Sequence, residues 1–357
     1  MPPLLQGAGA AARPDPGSLP DDPWPVAGPG FRPAGAYRVR PEEFEVTELL
    51  PFEPEGQGNH LLLRVRKTGV NTDRVAKDLA RLAECRPRDV GYAGLKDRYA
   101  VAVQHFTVPA DRLRGDPSAW SGQSWWVESV DRVRKKLQRG VLAGNRFRLV
   151  LHTDPGGRCA AGARFERAAR HGVPNYFGPQ RFGRGGGNLA GARRWLAGGK
   201  EPGRRERGLY LSAARSFVFN RVLAARVADG SWPRLLPGEL AIFADSNSGF
   251  VVAEPVTEQA RWAAGDLHPS GPLPGEGGLA PAGQAAALEG AVLAEDGELI
   301  QGLCEQRVKG HRRALRLLPR NARWQPVEAG IRVEFWLPAG AFATSVVREV
   351  IRVRATS

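Results

Sequence analysis

The chain predicts an α/β (α+β) fold in which strands and helices are interspersed. Stretches of strict alternation, with Gly144 to Leu151 the cleanest, lie near stretches of helical spacing such as Val75, Leu79 and Leu82. At 357 residues the chain holds two domains of ordinary size, each with its own core. No internal repeat is visible.

Residues 1 to about 30 are Pro, Gly, Ala and Asp with almost no periodicity, a loose or disordered tail. Tyr37 to Leu49 reads as strand, an interruption at Pro41, then strand, with Phe44 and Val46 on one face. A turn over 53–58 leads to a strand from His60 to Lys67, which suggests a hairpin with the strand before it. Asn71 to Glu84 has helical spacing, and Asn71 or Thr72 suits its N-cap. Trp125 to Gln138 is apolar, then basic, and reads equally as a solvated strand edge or a phosphate-contacting face. In Gly144 to Leu151, Phe147, Leu149 and Leu151 share one face, and Arg146 and Arg148 the other. Helices are expected over Ala160 to Arg170, Asn188 to Leu196 and Leu209 to Ala228. The Gly-, Pro- and Ala-rich stretch 265–290 reads as an extended surface loop. Arg312 to Leu318 and Ile331 to Leu337 read as strands, and Phe342 to Val350 as a short helix.

Composition narrows the function. Lys and Arg number 51 against 37 Asp and Glu, a net charge of +14, which points to a polyanionic partner. The three cysteines, Cys85, Cys159 and Cys304, form no C-x-x-C pair and no disulfide framework, as expected in a reducing cytoplasm. The six histidines have no metal-ligand spacing. No apolar run nears the roughly 18 residues of a membrane span, and no signal-peptide pattern opens the sequence.

Two stretches carry chemistry. Between Val90 and Val108 an apolar approach breaks at glycine and delivers Asp97 between Lys96 and Arg98 before alternation resumes. Such a carboxylate serves as nucleophile, general base or metal ligand, or as a turn Asp bonding backbone N–H groups. Between Val173 and Leu189, aromatics, Arg181, Arg184 and a glycine run are interleaved ahead of a helix. Backbone N–H groups there can cradle phosphate, and aromatic and Arg planes can stack on bases. The glycines match neither G-x-x-x-x-G-K-(S/T) nor a well-placed G-x-G-x-x-G, so a nucleotide-dependent enzyme is poorly supported.

Five blocks in order resemble one family. Gly94-Leu95-Lys96-Asp97-Arg98-Tyr99-Ala100 is similar to the G-x-K-D-(K/R)-x-A motif of the TruD-type tRNA pseudouridine synthases. Val173 to Leu189 resembles their V-P-N-Y-F-G-x-Q-R-F-G signature, and Phe335 to Val346 their F-W-L-P-A-G-S-F-A-T-S-V block. Pro41-Glu42-Glu43-Phe44 and Asn145-Arg146-Phe147 match the P-E-(D/E)-F and N-x-F elements. There are departures: Ala102 and Val103 stand where the family usually has Thr and Glu, Ala341 replaces a Ser, and Arg38 replaces a frequent Lys.

The resemblance implies isomerisation of uridine to pseudouridine in tRNA, typically at position 13 of the tRNA, with no cofactor and no metal. It implies a catalytic domain built on a mixed, mainly antiparallel sheet, here 31–172 plus 312–357. A family-specific insert, here 173–311, would close over the RNA. Asp97 resembles the catalytic carboxylate, and three roles stay open for it: attack on ribose C1′, addition to C6 of the base, or removal of a ribose proton. Arg38, Phe44, Asn145 and Phe147 are the expected Asp-orienting or base-binding residues, Phe147 resembling the family's aromatic platform. Lys96 and Gln104 are expected to shape the loop, and Arg181 and Arg184 to contact phosphate. A cytoplasmic monomer that binds tRNA and no membrane is expected. The competing reading is a catalytically inactive tRNA-binding or folding protein on the same scaffold.

Overall fold

In the computed structural model, which describes residues 23–353 except 112, 245 and 247, the chain forms two compact units. One comprises 28–173 and 317–353, and the other comprises 174–316 together with the described residues before 28.

In the first unit the chain runs β1 (Ala34–Ala36), β2 (Phe44–Leu49), β3 (His60–Lys67), α1 (Thr72–Leu82), β4 (Gly91–Tyr92), β5 (Val101–Pro109), β6 (Ser121–Gly122), β7 (Trp125–Val133), β8 (Gly144–Thr153) and α2 (Gly157–His171). After the short β9 (Val173–Pro174) come α3 (Gly187–Leu196), α4 (Arg204–Ala228), β10 (Glu239–Phe243), β11 (Gly249–Val252), α5 (Gln259–Ala264), β12 (Leu267–Leu273), α6 (Gly283–Leu293), α7 (Gly297–Glu305), β13 (His311–Ala314) and β14 (Arg316–Leu317). The first unit then closes with β15 (Arg320–Val327), β16 (Gly330–Pro338), α8 (Ala343–Val350) and β17 (Arg352–Val353).

The sheet of the first unit follows the order β15-β16-β8-β2-β5-β3-β7-β6. Its pairs are antiparallel except β2 with β5 and β1 with β17, so it is mixed and mainly antiparallel. The hairpin expected between β2 and β3 does not form. β5 lies between them, parallel to β2 and antiparallel to β3. The turn over 53–58 leads away from β2 because the apolar β5, Val101 to Val108, fills both neighbouring edges and is buried on both faces.

Register assigns the faces, since directly paired residues project to the same side. Phe44, Val46 and Glu48 of β2 share a side with Leu149, Phe147 and Asn145 of β8. Ala102 and Gln104 of β5 join them, followed by Lys67 and Val65 of β3. On this side α2 and α8 pack over β8 and β16 through Phe165, Val346 and Val350, and α1 packs over β3 and β5 through Val75 and Leu79. The opposite side carries a ladder of ion pairs, Arg64 and Arg66 with Glu128, and Arg148 and Arg323 with Glu334. Helices thus cover one face while charge solvates the other, an α+β arrangement.

In the second unit, α4 is the centre of a core that includes Phe177, Phe219, Leu223 and Leu303. Trp24 stacks on Tyr176, with ring centroids 5.8 Å apart, so this part of the expected tail is packed; residues 1–22 lie outside the described residues. The stretch 265–290 is not an extended loop. It holds β12, paired with β10 through Leu267–Pro269 and with β13 through Ser270–Leu273, and then α6. Each half of β12 meets a registered partner on one side only, which tolerates the prolines that argued against a strand. The alanines of α6 read as loop composition, yet Ala is the strongest helix former.

Candidate active site

Parallel pairing of β2 with β5 brings the segment ahead of one strand beside the segment ahead of the other. Arg38 leads into β2, Asp97 leads into β5, and their side chains meet: Arg38 Nη1 lies 2.9 Å from Asp97 Oδ2, each side chain about 34% exposed. The other carboxylate oxygen accepts the Tyr99 N–H at 3.0 Å, the turn role open to any Asp at such a corner. One oxygen shapes the turn and the other faces a cation at the surface.

Arg38 has a positive φ of 60°, a left-handed conformation uncommon for a residue with a side chain. Its guanidinium carbon lies 4.2 Å from the centre of the Phe44 ring. Phe44 meets Phe147 edge-on at 6.4 Å, and Phe147 stacks on Phe335 at 5.5 Å. Arg38, Phe44 and Phe147 therefore form one connected set that reaches Asp97 through Arg38. Phe147 is 6% exposed, with one face against Phe335, so it is a supporting ring of the site and also part of the core. Asn145, two residues earlier on the same side of β8, is half-buried, and its Oδ1 has no hydrogen-bond donor among the described residues.

The loop carrying Asp97 is held from below. Lys67, fully buried at the end of β3, donates to the backbone carbonyls of Val70 (3.0 Å), Asp97 (3.2 Å) and Lys96 (3.5 Å). Burial pushes its ammonium down to about 8, although the nearby Asp97 charge acts the other way. Gln104 Nε2 donates to the Gly94 carbonyl at 2.5 Å. Thr72 Oγ1 donates to Gln104 Oε1 and accepts the Lys96 N–H, both at 3.1 Å. Lys96 turns away from Asp97 and pairs with the fully buried Glu48 at 2.6 Å. Burial raises the Glu48 carboxyl, but the His105 hydrogen bonds and the Lys96 charge outweigh it and hold the group below the usual carboxylate range. Arg98 also points elsewhere, donating to the Gly69 carbonyl.

Ala102 lies in register between Val46 and Lys67 on the site side, whereas Val103 projects to the opposite side beside Thr47 and Arg66. With no hydroxyl at 102, the Lys67 ammonium takes backbone carbonyls as its acceptors. Sequence reasoning missed Lys67, Glu48 and Thr72. Lys67 had a signal: it follows Leu61, Leu63 and Val65 on an apolar strand face, where a charge is costly without partners.

Arg181 and Arg184 belong to the 174–316 unit. Arg181 donates to Ser212 Oγ at 2.9 Å and lies 5.2 Å from the Phe177 ring centre, while Arg184 is exposed on the next turn. In the glycine run, Gly183, Gly185 and Gly186 all have positive φ, so the backbone path itself calls for glycine.

A family model described as tRNA pseudouridine synthase D (TruD) matches residues 31–190 and 203–350. The chain is 46% identical over 324 residues to the tRNA pseudouridine synthase D of Nitrosococcus oceani, covering 89% of this chain and 90% of that protein. It is 48% identical over 334 residues to the protein of the same name from Methylococcus capsulatus, covering 89% and 91%. A crystal structure of a putative tRNA pseudouridine synthase D from Methanosarcina mazei shares the fold, with a TM-score of 0.73 over 90% of this chain and 94% of that one at 22% identity. This chain belongs to the tRNA pseudouridine synthase D (TruD) family.

Proposed function

We propose that this protein is an isomerase that converts a uridine of tRNA, uridine 13, to pseudouridine through the Asp97 carboxylate, without a cofactor. The observation that carries the reading is the Asp97–Arg38 pair, one-third exposed and connected through Arg38 to the Phe44 and Phe147 rings. In the reaction the N1–C1′ bond breaks, the uracil turns, and C5 bonds to C1′. The C5 proton leaves to solvent and N1 regains one, so the change is an isomerisation with no net oxidation. A uridine within folded RNA must leave its stack to reach such a site. Arg38 fixes the carboxylate, the Phe44 and Phe147 set supports the base, and Asn145, on the same side of β8 as Phe147, orients the Asp97 loop or the base. Lys96 and Gln104 hold the loop, and the exposed Arg184 contacts phosphate. Unpaired thiols at Cys85, Cys159 and Cys304 suit a cytoplasmic setting, and among the described residues no helix is long and apolar enough to cross a membrane.

The test is tritium release from tRNA labelled at uridine C5. Wild type is expected to release one tritium per modified uridine. Asp97→Asn is expected to release none while binding tRNA within about threefold of wild type. A wild type that releases no tritium from any tRNA would leave only an RNA-binding protein. Deuterium at ribose C2′ separates the roles of Asp97: slowed turnover assigns proton removal, and unchanged turnover assigns attack at C1′ or C6.

A further inference from the structure

In the 174–316 unit, several half-buried or buried arginines meet carboxylates. Arg312 pairs with Glu289 at 2.8 Å, Arg221 with Asp296 at 2.8 Å, and Arg226 with Glu239 at 2.9 Å. Three others, whose guanidiniums burial lowers, hold only neutral partners. Arg181, Arg215 and Arg313 have no acidic partner among the described residues.

These three share one seam. Arg313 of β13 lies 4.2 Å from the Phe177 ring centre and 5.7 Å from that of Phe219 on α4, and its Nη2 donates to Asn175 Oδ1 at 2.7 Å. Arg181 lies 5.2 Å from the same Phe177 ring and reaches Ser212 on α4. Arg215, one turn along α4 from Ser212, donates through Nη2 to the carbonyls of Leu273 and Lys309, and its Nε is buried with no acceptor. Burial lowers all three guanidiniums, Arg313 to about 10, and the Arg181 charge adds to the cost at Arg313. Three partly buried cations without a counter-ion are unfavourable alone and become favourable when an anion completes the site. Guanidinium forks lying over an aromatic ring match the oxygens of a phosphate as well as those of a carboxylate, and no carboxylate of the described residues pairs with them.

We infer that Arg181, Arg313 and Arg215 form a phosphate receptor that takes a backbone phosphodiester of the RNA substrate. That RNA supplies the phosphate rests on the function proposed above; the demand for an oxyanion does not.

The experiment is fluorescence anisotropy of labelled tRNA against the full-length protein over a salt series. Arg181→Gln and Arg313→Gln are each expected to weaken binding about tenfold. Each should also lower the slope of log K against log salt by about one, the signature of one lost phosphate contact. Because both residues would serve one phosphate, the double variant should lose no more slope than either single. Unchanged slopes overturn the proposal, as does a double variant that loses two. If Arg313→Gln fails to fold by circular dichroism, Arg181→Gln and Arg313→Lys decide instead, the lysine keeping the slope but losing affinity. Inorganic phosphate distinguishes the source of the anion. If it raises the melting temperature of wild type but not of Arg181→Gln while tRNA slopes are equal, the site takes a free anion and the RNA assignment falls. Tritium release by wild type is a separate result. Its absence would remove the isomerase reading and leave the slope measurement valid.

Discussion

Lys67→Met tests whether the buried ammonium exists to hold the Asp97 loop. Lys67 is fully buried, and its ammonium is lowered from 10.5 to about 8, which corresponds to about 3 kcal/mol against the charged form in the folded protein. Methionine fills similar space and removes that penalty. It also deprives the Val70, Lys96 and Asp97 carbonyls of a charged donor, and hydrogen bonds of this kind are worth about 1.5–3 kcal/mol. The two terms oppose each other and the three lost bonds are the larger, so net stability should fall by about 1–6 kcal/mol. Turnover should not be spared, because a displacement of about 1 Å in a reacting group can cost about a hundredfold. Urea melts and single-turnover tritium release measure the two quantities separately. The pH dependence adds an internal check. A group lowered on folding binds more protons when unfolded across the window between its two values, so stability there rises with pH. The Lys67 penalty is complete below pH 8 and gone above 10.5, so wild type should gain about 3 kcal/mol on Lys67→Met across that window. Wild-type turnover in Lys67→Met would refute the positioning role, and a stability gap that stays flat from pH 8 to 10.5 would refute the electrostatics.

Arg38→Gln should cost under about 1 kcal/mol of stability, because the pair with Asp97 is one-third exposed, yet lower turnover at least tenfold with little change in tRNA affinity; melts and tritium release separate these. Glu48→Gln leaves the Lys96 ammonium buried without its counter-ion and should destabilise by about 3–5 kcal/mol. Since the Glu48 carboxyl is held low, its contribution is present above its unfolded value and lost as pH falls through the folded one. The melting curves of wild type and Glu48→Gln should therefore converge in acid, and a gap independent of pH would contradict the assignment. Gly162→Ala should lower stability by about 1–3 kcal/mol in thermal melts, because a Cβ there would strike the Trp324 ring.

Period carried most of the first unit. Alternation located β3, β5 and β8 to within a residue or two at most ends, and helical spacing located α1, α2 and α8, whereas β7 ends at Val133, short of Gln138, the end of the stretch read from sequence. Pairing was a different matter. Nothing in β2 or β3 announces that β5 will separate them, because a parallel neighbour is chosen by burial on both faces rather than by the turn that follows a strand. The second unit misled through composition. β12 carries His268, Pro269, Ser270, Gly271 and Pro272 in succession, and its strand character comes from two different partners on its two halves. β15 carries a short alternation, Ala322, Trp324 and Pro326 on one side, interrupted by arginines and a proline, and the expectation from sequence includes no strand there.

For the candidate site, the sequence exposed the carboxylate and the family resemblance named Gln104 and Asn145, but Lys67 and Glu48 stayed hidden. Asp97 stands out because an apolar strand approach ends in a charged corner, and Phe147 because it lies on the apolar face of β8. Lys67, Glu48, Gln104 and Asn145 are each a polar residue at a position where alternation calls for an apolar one. Singly, such an interruption reads as the frayed end of a strand. The register of β3, β5, β2 and β8 places all four on the same side of the sheet, and the Asp97 loop rests on Lys67 and Gln104. Burying a charge or an amide on a helix-covered face is unfavourable unless each finds a partner, and the partners found are mostly the carbonyls and the lysine of that loop. The loop is thus as necessary to the buried polar groups as they are to it. Substitutions among Lys67, Thr72, Glu48 and Gln104 should accordingly be non-additive in turnover, a coupling that a double-mutant cycle on Lys67 and Gln104 would reveal and that strictly additive losses would exclude.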